Sequence, residues 1–124
     1  VINGDVAKYD VVGNGRRLRY DNAFYPHGTN VDFINEIDVN KIFAATYERG
    51  VEDETLSCGT GVTASALIYD QMKNTANGNH EIKVQTKGGL FSVYFRKDNE
   101  TYDHIILQGP VTLVFEGDVT LPKL

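Results

Sequence analysis

Ser57-Cys58-Gly59-Thr60-Gly61-Val62-Thr63-Ala64-Ser65-Ala66-Leu67-Ile68-Tyr69-Asp70-Gln71-Met72-Lys73-Asn74 is the stretch on which the fold turns. From Thr60 to about Asn74 the residues Val62, Ala66 and Tyr69, with Ala64, Leu67, Ile68 and Met72, recur at helical spacing. The first half, Val62 to Ala66, is small on nearly every face, which suits a helix enclosed by sheet better than one lying on a surface. On either side of it the period changes to two. Arg17 to Tyr20, Asn30 to Asn35, Ile42 to Tyr47, Ile82 to Thr86, Leu90 to Phe95, Ile105 to Leu107 and Val111 to Phe115 all read as strands. Turns are expected at Val12-Gly13-Asn14-Gly15, Asn77-Gly78-Asn79, Gly88-Gly89 and Gly109-Pro110, where Gly and Asn tolerate positive φ. The pattern describes one long helix wrapped by curved strands.

A chain of 124 residues, 41% of them hydrophobic, is long enough for one compact domain with its own core, and no linker divides residues 1–124. No apolar run approaches the roughly 20 residues of a membrane span, and Val1-Ile2-Asn3-Gly4-Asp5 lacks the basic start and apolar core of a signal peptide. A cytoplasmic location with no membrane partner is expected. The net charge of −5 is dispersed, with no basic stripe to neutralise phosphates, which argues against nucleic acid. The single cysteine excludes an internal disulfide. His27, His80 and His104 are scattered without metal-ligand spacing, so no metal site is expected.

A lone cysteine is by default a small buried hydrophobe. The neighbours of Cys58 reverse that default, because Ser57-Cys58-Gly59-Thr60-Gly61 stands where the strand pattern stops and the helix begins. Two glycines permit a tight turn and leave the amides of the first helical turn uncovered. A helix N-terminus carries about half a positive charge, which stabilises a thiolate and the carboxylate of a bound substrate alike. The acidic run Glu52-Asp53-Glu54 would oppose this at close range and is expected to be solvated on its loop. Upstream, Glu48 and Arg49 close a strand, and the short connection to Cys58 returns the chain to the same sheet edge. Arg49 can grip a carboxylate in a bidentate fork and Glu48 an ammonium, which implies a small zwitterionic substrate. Asn30, carrying a donor and an acceptor, either holds an amino-acid head group or shapes the turn before its strand.

Tyr47-Glu48-Arg49-Gly50, Glu54-Thr55 and Ser57-Cys58-Gly59-Thr60-Gly61, preceded by Gly28-Thr29-Asn30-Val31-Asp32-Phe33 and followed by Gly88-Gly89-Leu90 and Gly109-Pro110, closely resemble the C-terminal half of the diaminopimelate epimerase family. Order and spacing match across nearly the whole chain. One departure is a loop through Glu52-Asp53 that looks a residue longer than in many members. The resemblance implies an α+β domain, a curved, mostly antiparallel β-sheet or barrel wrapped around a central α-helix. It implies two such halves facing across a substrate cleft, each supplying one cysteine. One thiolate removes the α-proton of LL-diaminopimelate and the other thiol protonates the opposite face, giving the meso isomer with no cofactor, neither pyridoxal phosphate nor metal.

Carried over by position, Cys58 is the second-half acid–base residue, Gly59 and Thr60 bind the reacting carboxylate through their amides, and Asn30 and Arg49 hold the distal carboxylate. Glu48 lies at the distal ammonium or near the thiol. The first-half Cys-Gly-Asn-Gly-like motif is absent from these residues, as is a Gly-Asn-Pro-His-like segment. The expected partners are therefore the small-molecule substrate and the missing N-terminal domain, and the chain alone is expected to be inactive. An apolar face left uncovered would favour a homodimer. Among related amino-acid racemases and isomerases, Glu48-Arg49 speaks against a proline or hydroxyproline racemase, whose substrate has no second charged end. Cys58 speaks against a phenazine-biosynthesis-type isomerase. A small-molecule-binding module that kept the scaffold and lost its chemistry is the reading from another class, separated by the reactivity of Cys58.

Overall fold

The computed structural model describes residues 4–122. Six strands form one open, mixed sheet: β1 (Val31–Asp38), β2 (Lys41–Glu48), β3 (Asp53–Thr55), β4 (Gly78–Thr86), β5 (Gly89–Asp98) and β6 (Thr101–Gln108). Their order is β1-β2-β4-β5-β6, with β3 paired to β2 beyond the short β2–β4 contact. All neighbours are antiparallel except β2 and β4, which run parallel from Lys41 opposite Lys83 to Phe43 opposite Gln85. Parallel neighbours need a crossover, and the helix α2 (Gly59–Lys73) supplies it.

Strand alternation explains how one sheet serves two cores. Ile34, Ile42, Ala44, Ile82, Val84, Val93 and Phe95 face α2 and pack on its Val62, Ala66 and Tyr69. Phe33, Ala45 and Tyr47 point the other way, onto Val6 and Val11. Each fully buried Val or Ile contributes about 1.5–3 kcal/mol relative to exposure. The helix lies across β1, β2, β4, β5 and β6, so the expected α+β architecture with a sheet around one long helix holds. Among the described residues the sheet is open, not closed into a barrel, with β1 and β6 as its long edges.

Three expectations are corrected. Arg17 to Tyr20 is not a strand and Val12 to Gly15 is not a turn, because Val11–Arg19 form a second helix, α1. Asp10 caps it, its Oδ1 accepting from Gly13 N–H at 2.9 Å. Gly15 looked like a breaker but is a contact residue: a Cβ there would lie 2.7 Å from Tyr47 Cγ, so glycine lets α1 sit directly on β2. Val111 to Phe115 form no strand; they run exposed, with no backbone partner among the described residues. No helix among the described residues is long and apolar enough to cross a membrane.

At the far end of α2 a buried polar cluster fixes the helix. Asp70 is wholly buried and accepts from Thr75 Oγ1 at 2.6 Å and from Tyr102 OH at 3.0 Å, with Lys97 Nζ 3.4 Å away. Lys97 also donates to the Thr75 carbonyl at 2.9 Å. Every charge there has a partner, as burial requires. Asn74 then ends the helix in the left-handed conformation, φ 49°.

Candidate active site

The β2–β3 turn, the segment before β1 and the start of α2 meet at one end of the sheet. Cys58 is the N-cap of α2, extended at φ −123° and ψ 115°, and its carbonyl accepts from Val62 N–H at 2.8 Å. Its side chain caps nothing, so the leading amides of the helix have no side-chain acceptor. The sulfur is nearly buried and shares a 3.3 Å hydrogen bond with Thr60 Oγ1. A thiol is thus held against a row of open N–H groups, an arrangement suited to anions.

Beside it opens a cavity of about 310 Å³ lined by Gly28, Thr29, Asn30, Asp32, Arg49, Thr60, Gly61 and Ala64. Asn30, Arg49 and Thr60 of the expected set therefore share one wall system. Gly59 faces a neighbouring apolar recess with Thr60, Thr63, Ala64, Leu67 and Leu107. Cys58 and Glu48 are not in the cavity wall. Glu48 is half-buried at the end of β2, on the face shared with Thr46, and its charge is felt at Asp32.

Asn30 does something the sequence left open between ligand and turn: its Oδ1 accepts from the Arg49 backbone N–H at 2.8 Å. Its Nδ2 makes no hydrogen bond among the described residues. Arg49 is exposed, and its Nη1 donates to the His27 carbonyl at 3.3 Å, so one arm of the guanidinium is anchored while the rest of the fork stays open. The acidic loop differs from expectation. Glu52 and Glu54 are not simply solvated: Glu52 Oε1 pairs with Arg19 Nη2 at 3.0 Å and Glu54 Oε2 with Lys87 Nζ at 2.6 Å. Two of the three charges that would oppose a thiolate at close range are thereby matched.

Asp32 carries no role that its motif alone reveals. Alternation places it on the face of Ile34, towards α2, and that was the available signal. Its Oδ1 accepts from Thr46 Oγ1 at 2.6 Å. Burial raises its pKa, the Thr46 hydrogen bond opposes this, and the nearby Glu48 charge adds to the rise. Gly61 is the complement of Asp32, since any Cβ at 61 would overlap the carboxyl oxygen.

A family model described as diaminopimelate epimerase matches residues 2–114. Among curated relatives, a diaminopimelate epimerase of Flavobacterium psychrophilum is 39% identical over 115 residues, covering 93% of this chain and 44% of the relative. One of Aquifex aeolicus is 40% identical over 114 residues, 91% of this chain and 39% of the relative. One of Archaeoglobus fulgidus is 40% identical over 120 residues, 97% of this chain and 39% of the relative. The chain spans less than half the length of these relatives.

Proposed function

Because the chain belongs to the diaminopimelate epimerase family, we propose that it is the C-terminal half of a two-domain enzyme that interconverts LL- and meso-diaminopimelate without a cofactor. The observation that carries this reading is Cys58 at the uncapped start of α2, adjoining a cavity walled by Asn30, Arg49 and Thr60. In the LL-to-meso direction the thiolate of the other half removes the α-proton and the Cys58 thiol delivers a proton to the opposite face. In reverse, the Cys58 thiolate is the base. Each turnover exchanges one proton for one proton, so no redox partner enters. The amides of Gly59 and Thr60 hold the reacting carboxylate and stabilise the charge that builds on it as the carbanion forms. Arg49, with the free Nδ2 of Asn30, receives the distal carboxylate, and Glu48, outside the cavity wall, serves either the distal ammonium or the thiol. The apolar recess at Leu67 and Leu107 is where the N-terminal half would close over the helix start and exclude water, strengthening those dipoles.

Deuterium incorporation from solvent at the α-carbon of both isomers tests this. Turnover is expected from the two-domain enzyme, or from the two halves mixed, and from neither the chain alone nor a mixture carrying Cys58→Ala. Robust exchange by the isolated chain or by the Cys58→Ala mixture would sink the two-thiol assignment.

A further inference from the structure

Arg49 stands at the tip of a turn whose geometry is set from behind, on the face of the sheet away from α2. The turn closes through Glu52 N–H donating to the Glu48 carbonyl at 2.8 Å. Glu52 itself adopts φ 59°, a conformation a residue with a Cβ holds only when its surroundings require it. Its carboxylate gathers four donors: Gly50 N–H at 3.1 Å, Arg19 Nε at 3.2 Å and Nη2 at 3.0 Å on Oε1, and Tyr47 OH at 3.4 Å on Oε2. Tyr47 is wholly buried beneath α1, so the anchor reaches into the second core. Arg19, the last residue of α1, keeps only 13% of its side chain exposed and packs over the Tyr20 ring at 4.7 Å. Its guanidinium also presses on Gly28, where any Cβ would overlap Nη1, and Gly28 is part of the cavity wall.

We propose that the Arg19–Glu52 pair is a positioning device for the substrate's distal end, one ion pair bracing both the turn that presents Arg49 and the Gly28–Asn30 wall facing it; this rests on the functional reading above. Neither residue lines the cavity, so each acts through Arg49 and Asn30. The pull of the Gly50 N–H, reinforced by Arg19, holds the Glu52 carboxyl below its ordinary range, which agrees with an anionic brace.

The test uses the two-domain enzyme with Glu52→Ala and Glu52→Gln. Turnover is read with diaminopimelate, and inhibition constants with 2-aminopimelate, which keeps both carboxylates, and with lysine, which lacks the distal one. The alkylation rate of Cys58 and the melting temperature complete the set. Glu52→Ala is expected to raise KM and the 2-aminopimelate constant by about tenfold or more, while kcat, lysine inhibition and Cys58 alkylation stay within about threefold. Glu52→Gln should recover most of the loss, because its amide oxygen still accepts from Gly50 N–H and Arg19. Equal weakening of both inhibitors, or an unchanged KM in Glu52→Ala, would overturn the positioning role while leaving the enzyme assignment intact. If Glu52→Ala melts too low to assay, Arg19→Gln, which removes the ion pair from its other end, decides by the same ratio of inhibitors. A wild-type two-domain enzyme without turnover removes both the function and this inference.

Discussion

Replacing Gly61 by alanine probes the tightest contact between the sheet and the start of α2. A methyl group at 61 would overlap Asp32 Oδ1 and lie 3.0 Å from Thr46 Oγ1 and 3.1 Å from Asp32 Cγ. Comfortable contact needs about 3.5 Å, so either the helix start lifts by about 1 Å or the Asp32 side chain swings away. Lifting the helix displaces the Cys58 thiol and the Gly59 and Thr60 amides together, and a 1 Å misplacement of a reacting group costs about 100-fold in rate. Swinging Asp32 away gives up the 2.6 Å hydrogen bond from Thr46. That is a loss of about 1.5–3 kcal/mol for a bond to a charged group, set against about 1 kcal/mol gained from the better helix propensity of alanine. The net change of about 0.5–2 kcal/mol corresponds to a fall of only a few degrees in melting temperature. The expected signature of Gly61→Ala in the two-domain enzyme is therefore a small loss of stability beside a loss in kcat/KM approaching about 100-fold. Calorimetry and the solvent-deuterium assay read the two quantities on one preparation. A kcat/KM within about threefold of wild type would refute the claim that this contact sets the height of the Cys58 thiol.

Arg49→Lys should cost at least about tenfold in kcat/KM for diaminopimelate, since a lysine ammonium cannot both reach the His27 carbonyl and present a fork to a carboxylate; near-wild-type kinetics would return Arg49 to the role of a strand-end charge. Asp32→Asn should stabilise the fold at neutral pH: the pKa of Asp32 is raised in the fold, so its neutral form is favoured, and stability present below about 3.8, the ordinary value, is lost as pH rises through the folded pKa. The advantage of asparagine, followed as a melting-temperature difference against pH, should vanish in acid, and a difference that grows in acid would reverse the assignment. Asp70→Ala leaves the Lys97 ammonium, 6% exposed, without its buried counter-charge and should cost about 3–5 kcal/mol in urea unfolding; a loss below about 1 kcal/mol would mean that water replaces the carboxylate.

The long helix, most of the strands and the cysteine at the helix start were legible in the sequence because each rests on local chemistry: a change of period from two to 3.6, glycines at a junction, and a thiol placed by that junction. What misled was also local. Gly13 and Gly15 read as a turn, whereas Gly15 lies in α1 so that the helix can touch Tyr47, a residue far along the chain. Val111 to Phe115 alternate like a strand yet form none, because a strand exists only where a neighbour offers its backbone, and none of the described residues does so there.

At the site the sequence by itself determined which groups were available: Cys58, Asn30, Glu48, Arg49, and the amides of Gly59 and Thr60. Tertiary structure alone decided how they are used. It turned Asn30 Oδ1 towards the Arg49 backbone, spent one arm of Arg49 on the His27 carbonyl, and set Asp32, half-buried, against Gly61 and Thr46. It also drew Glu52 out of an acidic run into an ion pair with Arg19 across 33 residues of chain. The physical reason is range: periodicity and turn chemistry act over a few residues, whereas the desolvation and hydrogen bonding that assign a polar group its partner depend on neighbours that only the closed fold brings within 3 Å or so.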